Sequence, residues 1–379
     1  MRFAVLLGLV SLFADMTYEG ARSISGPFLA VLGASGAVVG LVAGFGEFAG
    51  YALRLAAGWI ADKTRRYWTL TITGYAVNLL AVPALALAGR WEAAAALLMM
   101  ERIGKALRNP PRDAMLSFAT HSLGAGRAFG LHEAMDQTGA ILGPLIVAAV
   151  LYWRGGYRES FAVLLIPALA ALAVLAAARR AFPRPQDLEP QLPAVDARGL
   201  SRRYWALVAA AALCGAGFAD FPLIAFHIEK SQWMVDAWIA VLYAVAMAVD
   251  ALAALVLGRW FDRRGARVAA VTPLMAAVAA PLAFLGSAAS VWAAAVAWGI
   301  AMGAQESVVR AAVAQMAPAE MRGTAFGLFH AVFGTAWFAG SALLGFLYDF
   351  SLPALVAAAV ALEAASFAVF LSIRARGPA

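Results

Sequence analysis

The chain has 379 residues, of which 63% are hydrophobic and 13% charged, with a net charge of +7. Soluble domains carry about 45–50% apolar and 25% charged residues, so this composition belongs in lipid and leaves no length for a soluble catalytic domain. The single cysteine, Cys214, excludes disulfides within the chain.

Apolar runs long enough to cross about 30 Å of hydrocarbon recur from end to end. Twelve are expected: 3–30, 38–61, 69–89, 92–115, 127–153, 160–180, 204–228, 236–259, 268–288, 290–315, 323–349 and 353–373. None alternates with the period of a membrane strand, so helices must satisfy the backbone. In the first, Asp15 and Glu19 interrupt the apolar run and no cleavage site follows, which predicts a retained span rather than a signal peptide. Ser11, Asp15, Glu19 and Arg22 share one helical face, with Tyr18 beside them. An ionised group at mid-membrane costs at least ~2.5–3.5 kcal/mol, so it must pair, face a cavity or carry protons. Glu19 has Arg22 within reach, whereas Asp15 has no partner on its own helix and is the first proton-carrier candidate.

The second span ends in Gly58-Trp59-Ile60-Ala61-Asp62-Lys63-Thr64-Arg65-Arg66. The fourth places Glu101, Lys105, Arg108 and Arg112 on one face, where Lys105 and Arg108 either salt-bridge to Asp15 and Glu19 or attract an anion. In the fifth, His132, Asp136, Gly139 and Gly143 share a face, with Pro144 next. His132 and Asp136 there form either a proton pair or a helix-packing hydrogen bond. The stretch between Arg180 and Tyr204 is polar and rich in proline, and is read as a linker.

Beyond the linker the chain repeats itself. Gly258-Arg259-Trp260-Phe261-Asp262-Arg263-Arg264-Gly265 echoes the stretch at Gly58, and Ala325-Phe326-Gly327-Leu328 echoes Ala128-Phe129-Gly130-Leu131. Phe218-Ala219-Asp220 likewise echoes Phe13-Ala14-Asp15, which makes Asp220 the expected counterpart of Asp15. In the tenth span Glu306 and Arg310 form an i, i+4 pair. Duplication of an apolar chain is a recurring plan of secondary transporters. The predicted organisation is a six-helix bundle over 1–180, a linker over 181–203 and a second six-helix bundle over 204–379. Bases concentrate on one side: with both termini inside, eighteen fall in the inner loops and tails and four in the outer loops (Arg90, Arg154, Arg158 and Lys230). The positive-inside rule then puts both termini in the cytoplasm, and the net charge reflects this bias, not nucleic acid.

These motifs resemble the major facilitator superfamily over essentially the whole chain. Its signature between spans two and three corresponds here to Gly58, Asp62, Lys63, Arg65 and Arg66, and more weakly to Gly258, Asp262, Arg263 and Arg264; the resemblance implies a cytoplasmic gate. Gly130, Gly139, Gly143 and Pro144 resemble the antiporter motif of the family's exporters, although Val147 and Ala148 replace its final glycines. The run from Glu101 to Ala114 is similar to a prokaryotic subgroup in which several members are regarded as efflux proteins, some for metals such as nickel.

The expectation is therefore an all-α, twelve-span transporter of the cell membrane, monomeric in the bilayer, exporting a small molecule against protons. Asp15, Glu19, Asp136 and His132 are the proton-coupling candidates, and Tyr18, Arg22, Lys105, Arg108, Asp220, Glu306 and Arg310 the candidate substrate cavity. A divalent-metal exporter and a proton-coupled organic-anion symporter are the alternatives. The chain lacks a phosphate-binding Gly-x-x-x-x-Gly-Lys-Ser/Thr loop, a nucleophile beside a base, and a zinc-protease histidine pair, so no ATP-driven or catalytic site and no cofactor is expected beyond the proton. With four histidines and one cysteine, a metal site would have to be built from carboxylates, Asp15, Glu19 and Asp136 in the metal-exporter alternative.

Overall fold

A computed structural model describes residues 2–64, 66–123, 125–183, 200–316 and 322–373. Its helices are α1 (Arg2–Val31), α2 (Gly36–Thr64), α3 (Tyr67–Ala84), α4 (Trp91–Leu123), α5 (Ala125–Arg154), α6 (Tyr157–Val163) and α7 (Leu165–Ala181). Then follow α8 (Arg202–Gly217), α9 (Phe221–Ser231), α10 (Asp236–Arg264), α11 (Val271–Phe284), α12 (Ser290–Ala304), α13 (Arg310–Met316), α14 (Arg322–Phe350) and α15 (Leu352–Ser372). No strand occurs among the described residues. Eight stretches there are both long and apolar enough to cross a membrane. Three further helices, α1, α2 and α4, have 30, 29 and 33 residues and are long enough to cross.

The chain divides into two compact units. The first comprises Met1–Gly33, Ala49–Leu192 and Val235–Ala244; the second comprises Ala34–Phe48, Pro193–Met234 and Val245–Ala379. These units follow the two sequence halves except for two short exchanges, the start of α2 and the start of α10. Within unit 1, α1, α3 and α7 enclose a core of Phe3, Leu7, Val10, Tyr75, Leu79 and Leu175, all at most 3% exposed. Within unit 2, α2 begins against α14: Asp349 accepts hydrogen bonds from the Gly36 and Ala37 amides at 2.8 Å each, capping the α2 N-terminus with negative charge.

Lipid offers no hydrophobic drive for helices to associate, so close backbone approach through small residues matters more than in water. Two crossings in unit 1 depend on it. A Cβ at Gly139 would collide with the Leu12 carbonyl oxygen, and one at Gly143 with that of Met16, so α5 sits directly on the α1 backbone. A Cβ at Gly74 would lie 2.7 Å from the Arg108 amide nitrogen, and one at Gly104 would collide with that of Asn78. The second crossing brings α3 and α4 together in the same way.

The sequence predicts an unbroken seventh span through Phe218-Ala219-Asp220. The chain instead leaves the helix there: α8 ends at Gly217 and α9 starts at Phe221, with Asp220 extended (φ −63°, ψ 142°) at its N-cap. Trp298 donates from Nε1 to the freed Ala219 carbonyl at 2.9 Å, and Pro222 in the first turn of α9 supplies no amide hydrogen. Asp220 is thus no conformational counterpart of Asp15, which lies inside a continuous helix.

Candidate functional site

The α1–α5 and α3–α4 crossings together build a charged cluster within unit 1. From α1 come Ser11, Asp15, Tyr18, Glu19 and Arg22; from α5, Asp136; from α4, Glu101, Lys105, Arg108 and Arg112. Asp15 and Glu19 are each 6% exposed, Tyr18 8% and Arg108 1%. Asp15 interacts electrostatically with Asp136 on the facing helix, and with Lys105, Arg108 and Glu19. Its proximity to Asp136 follows from the glycine crossing, since a Cβ at Gly139 would also lie 3.0 Å from the Asp15 Cβ. Two acids from different helices therefore face one another with cations beside them, an arrangement in which a proton on one changes the charge felt by the other.

The cations are individually held. Lys105 Nζ stands 3.6 Å from the centroid of the Tyr18 ring. The Arg108 guanidinium lies over Tyr75 at 4.2 Å and 5.9 Å from Tyr18, while its Nε and Nη1 make no hydrogen bond. A buried guanidinium held by ring faces keeps its fork of donors available, the geometry that suits carboxylate and phosphate. Arg112 is engaged otherwise, donating from Nη1 to Ser11 Oγ at 3.1 Å and pairing with Asp113 at 2.7 Å. Ser11 in turn hydrogen-bonds Asp136, so Arg112, Ser11 and Asp136 form a chain across three helices. Glu19 accepts a short hydrogen bond from Tyr243 and interacts with Arg22 and Lys105. Glu101 accepts from Asn78 Nδ2 at 2.7 Å, pairs with Arg102 at 3.1 Å and interacts with Lys105.

Most of the other predicted residues belong to other elements. Asp220 accepts from Trp337 Nε1 at 2.9 Å and from Ser341 Oγ at 2.5 Å, which ties the α8–α9 break to α14 inside unit 2. Glu306 and Arg310 pair at 3.5 Å, partly exposed, at a π-helical turn, Gln305–Val309, between α12 and α13. Lys63 stacks over Trp59 at 4.6 Å and Arg264 over Trp260 at 5.5 Å, an interfacial pattern repeated at the ends of α2 and α10. Arg66 is exposed before α3 and Arg263 in the last turn of α10. A Cβ at Gly258 would meet nothing within 4 Å, so no packing demand fixes that glycine. Arg65 lies outside the described residues, as do the side chains of Asp62, His132 and Asp262 and the surroundings of Gly58 and Gly130. Among the described residues, no three His, Cys, Asp or Glu side chains converge closely enough to hold a metal ion.

Tyr243, Tyr75 and Asn78 belong to the cluster or its supports, and sequence reasoning missed all three. A tyrosine or asparagine in an apolar helix is unremarked unless its partner is known. The neighbouring Gly74 and Gly104 were the available signal for a close crossing at Arg108.

Comparison with known proteins is consistent with this architecture. The model of the Major Facilitator Superfamily matches residues 7–341, and a second match covers 225–379. An uncharacterised protein of Mycobacterium tuberculosis is 43% identical over 381 residues, covering 98% of this chain and 93% of the relative. An uncharacterised MFS-type transporter of Methanocaldococcus jannaschii is 24% identical over 355 residues, covering 91% and 88%. Among solved structures, a mutant of the nucleoside transporter NupG aligns with a TM-score of 0.79 at 14% identity, over 97% of this chain and 100% of that one. A POT family transporter in complex with 5-aminolevulinic acid aligns with a TM-score of 0.77 at 13% identity, over 98% and 95%.

Proposed function

Because the chain belongs to the major facilitator superfamily, and so is a transporter rather than an enzyme, we propose that it exports a small solute in exchange for protons. It would do so as a twelve-span protein of the cell membrane with both termini cytoplasmic. The observation that carries the reading is the apposition of Asp15 and Asp136 across the glycine crossing, with Lys105 and Arg108 alongside. A proton arriving on either acid removes a negative charge from a desolvated cluster and leaves the cations less compensated. The two protonation states then favour different conformations, which is the requirement for coupling. The direction, export, rests on Gly139 and Gly143, whose packing on α1 is the close contact that the antiporter motif serves in its family, with Pro144 next in the same helix.

A second reading, import of an organic anion with protons, is favoured by one feature: the buried Arg108 guanidinium with donors unused. The metal-exporter alternative would use Asp15, Glu19 and Asp136 as oxygen ligands. Proteoliposomes holding the purified chain test both readings across a panel of radiolabelled organic cations, neutral solutes and anions under an imposed pH gradient. Proton-driven countertransport lost in Asp15→Asn and Asp136→Asn supports exchange. Accumulation of an anion with the proton gradient supports the second reading. Full pH-driven flux in both variants contradicts the proton assignment.

A further inference from the structure

Away from the charged cluster, the Arg-rich end of unit 1 carries a pocket of about 640 Å³ between the start of α3 and the end of α7. Arg66, Arg179 and Arg180 line it, and no acid does among the described residues. Its wall is Trp68, Ile72 and Ala176. Trp68 is fixed there by a hydrogen bond from Nε1 to the Phe182 carbonyl at 3.0 Å and by edge packing on Phe3. The pocket also faces the N-terminus of α3, an 18-residue helix whose N-cap, Arg66, provides no side-chain hydrogen bond and whose first turn has no acid. A helix dipole and three arginines both select for negative charge at one place. The position selects further. Tyr67–Leu87 starts and Tyr157–Ala181 ends here, and both are stretches apolar enough to span a bilayer. The basic rim therefore stands at the level of lipid headgroups, and the apolar wall continues toward the acyl chains.

From this we infer that the α3–α7 pocket is a binding site for the phosphodiester headgroup of an anionic membrane lipid. The arginines take the phosphate and the wall formed by Ile72 and Ala176 takes the start of a chain. Basic pockets between membrane helices recognise anionic headgroups in this way, each arginine contributing about a fivefold preference. None of the coupling residues Asp15, Glu19 and Asp136 lines it.

The test uses the full chain purified in a mild detergent, with bound lipid followed by native mass spectrometry. Phosphatidylglycerol and phosphatidylcholine of matched chains are offered in competition. The expected result is retention of phosphatidylglycerol over phosphatidylcholine, reduced roughly 30-fold in the Arg179→Gln/Arg180→Gln double variant. Arg66→Gln, which leaves α7 untouched, should reduce it about fivefold. Arg203→Gln, an exposed arginine of unit 2, should leave it unchanged. Equal retention of the two lipids overturns the proposal, as does a preference that survives loss of the arginine pair. A third arm adds inorganic phosphate: if it displaces the lipid or occupies the pocket without lipid preference, the occupant is free phosphate and the lipid assignment fails.

Discussion

Charge at single positions separates the residues of this protein into working groups and supports. Asp15, Glu19, Asp136, Lys105 and Arg108 were visible in the sequence because an ionisable group in an apolar run has few inexpensive explanations. Their partners were not visible. Tyr75 holds Arg108, Tyr243 holds Glu19 and Asn78 holds Glu101, and each is of a type common in apolar helices. Asp220 shares the sequence context of Asp15, and its partners too were hidden: Trp337 and Ser341 donate to its two oxygens. Two predictions belong to this scale. Ser341→Ala leaves one oxygen of a buried acid without its donor and should cost about 1–3 kcal/mol, read as a lowered unfolding temperature with transport otherwise intact. Arg108→Gln should raise the KM for an anionic cargo by roughly 10–150-fold, the loss of a charge-assisted hydrogen bond. An unchanged KM for every anion transported removes Arg108 from recognition.

Helices as elements were largely legible, since length and hydropathy alone locate them. The break between α8 and α9 was overlooked because Phe-Ala-Asp reads identically in α1, although Pro222, which α1 lacks at the matching place, was a signal for it. What the sequence does not show is the tertiary support: Trp298 is at hand to satisfy the Ala219 carbonyl. Nor does a duplicated sequence disclose that Ala34–Phe48 and Val235–Ala244 group with the unit opposite to their own half. The glycine crossings sort the glycines by consequence. Gly143→Leu would drive a side chain into the Met16 carbonyl and should destabilise by about 1–3 kcal/mol or more. Gly50, also helical, has nothing within 4 Å of its missing Cβ, so Gly50→Ala should be neutral or stabilising by about 0.5–1 kcal/mol. Thermal unfolding in one detergent compares the pair, and equal losses would remove the special status of the α1–α5 contact.

For the molecule as a whole, the proposal joins a duplicated scaffold to a small set of acids whose protonation is felt by the whole fold. Its consequence is an equilibrium between two openings that pH alone displaces, with no cargo present. The most direct measurement places spin labels at the exposed positions Lys63 and Arg263, near the ends of α2 and α10, in a Cys214→Ser background. Distance distributions are then recorded in nanodiscs from acidic to alkaline buffer. The account predicts two populations that exchange weight with pH in the otherwise native chain and a single, pH-independent population in Asp15→Asn/Asp136→Asn. One unvarying distribution in the native chain, or an undiminished shift in the double variant, would contradict it.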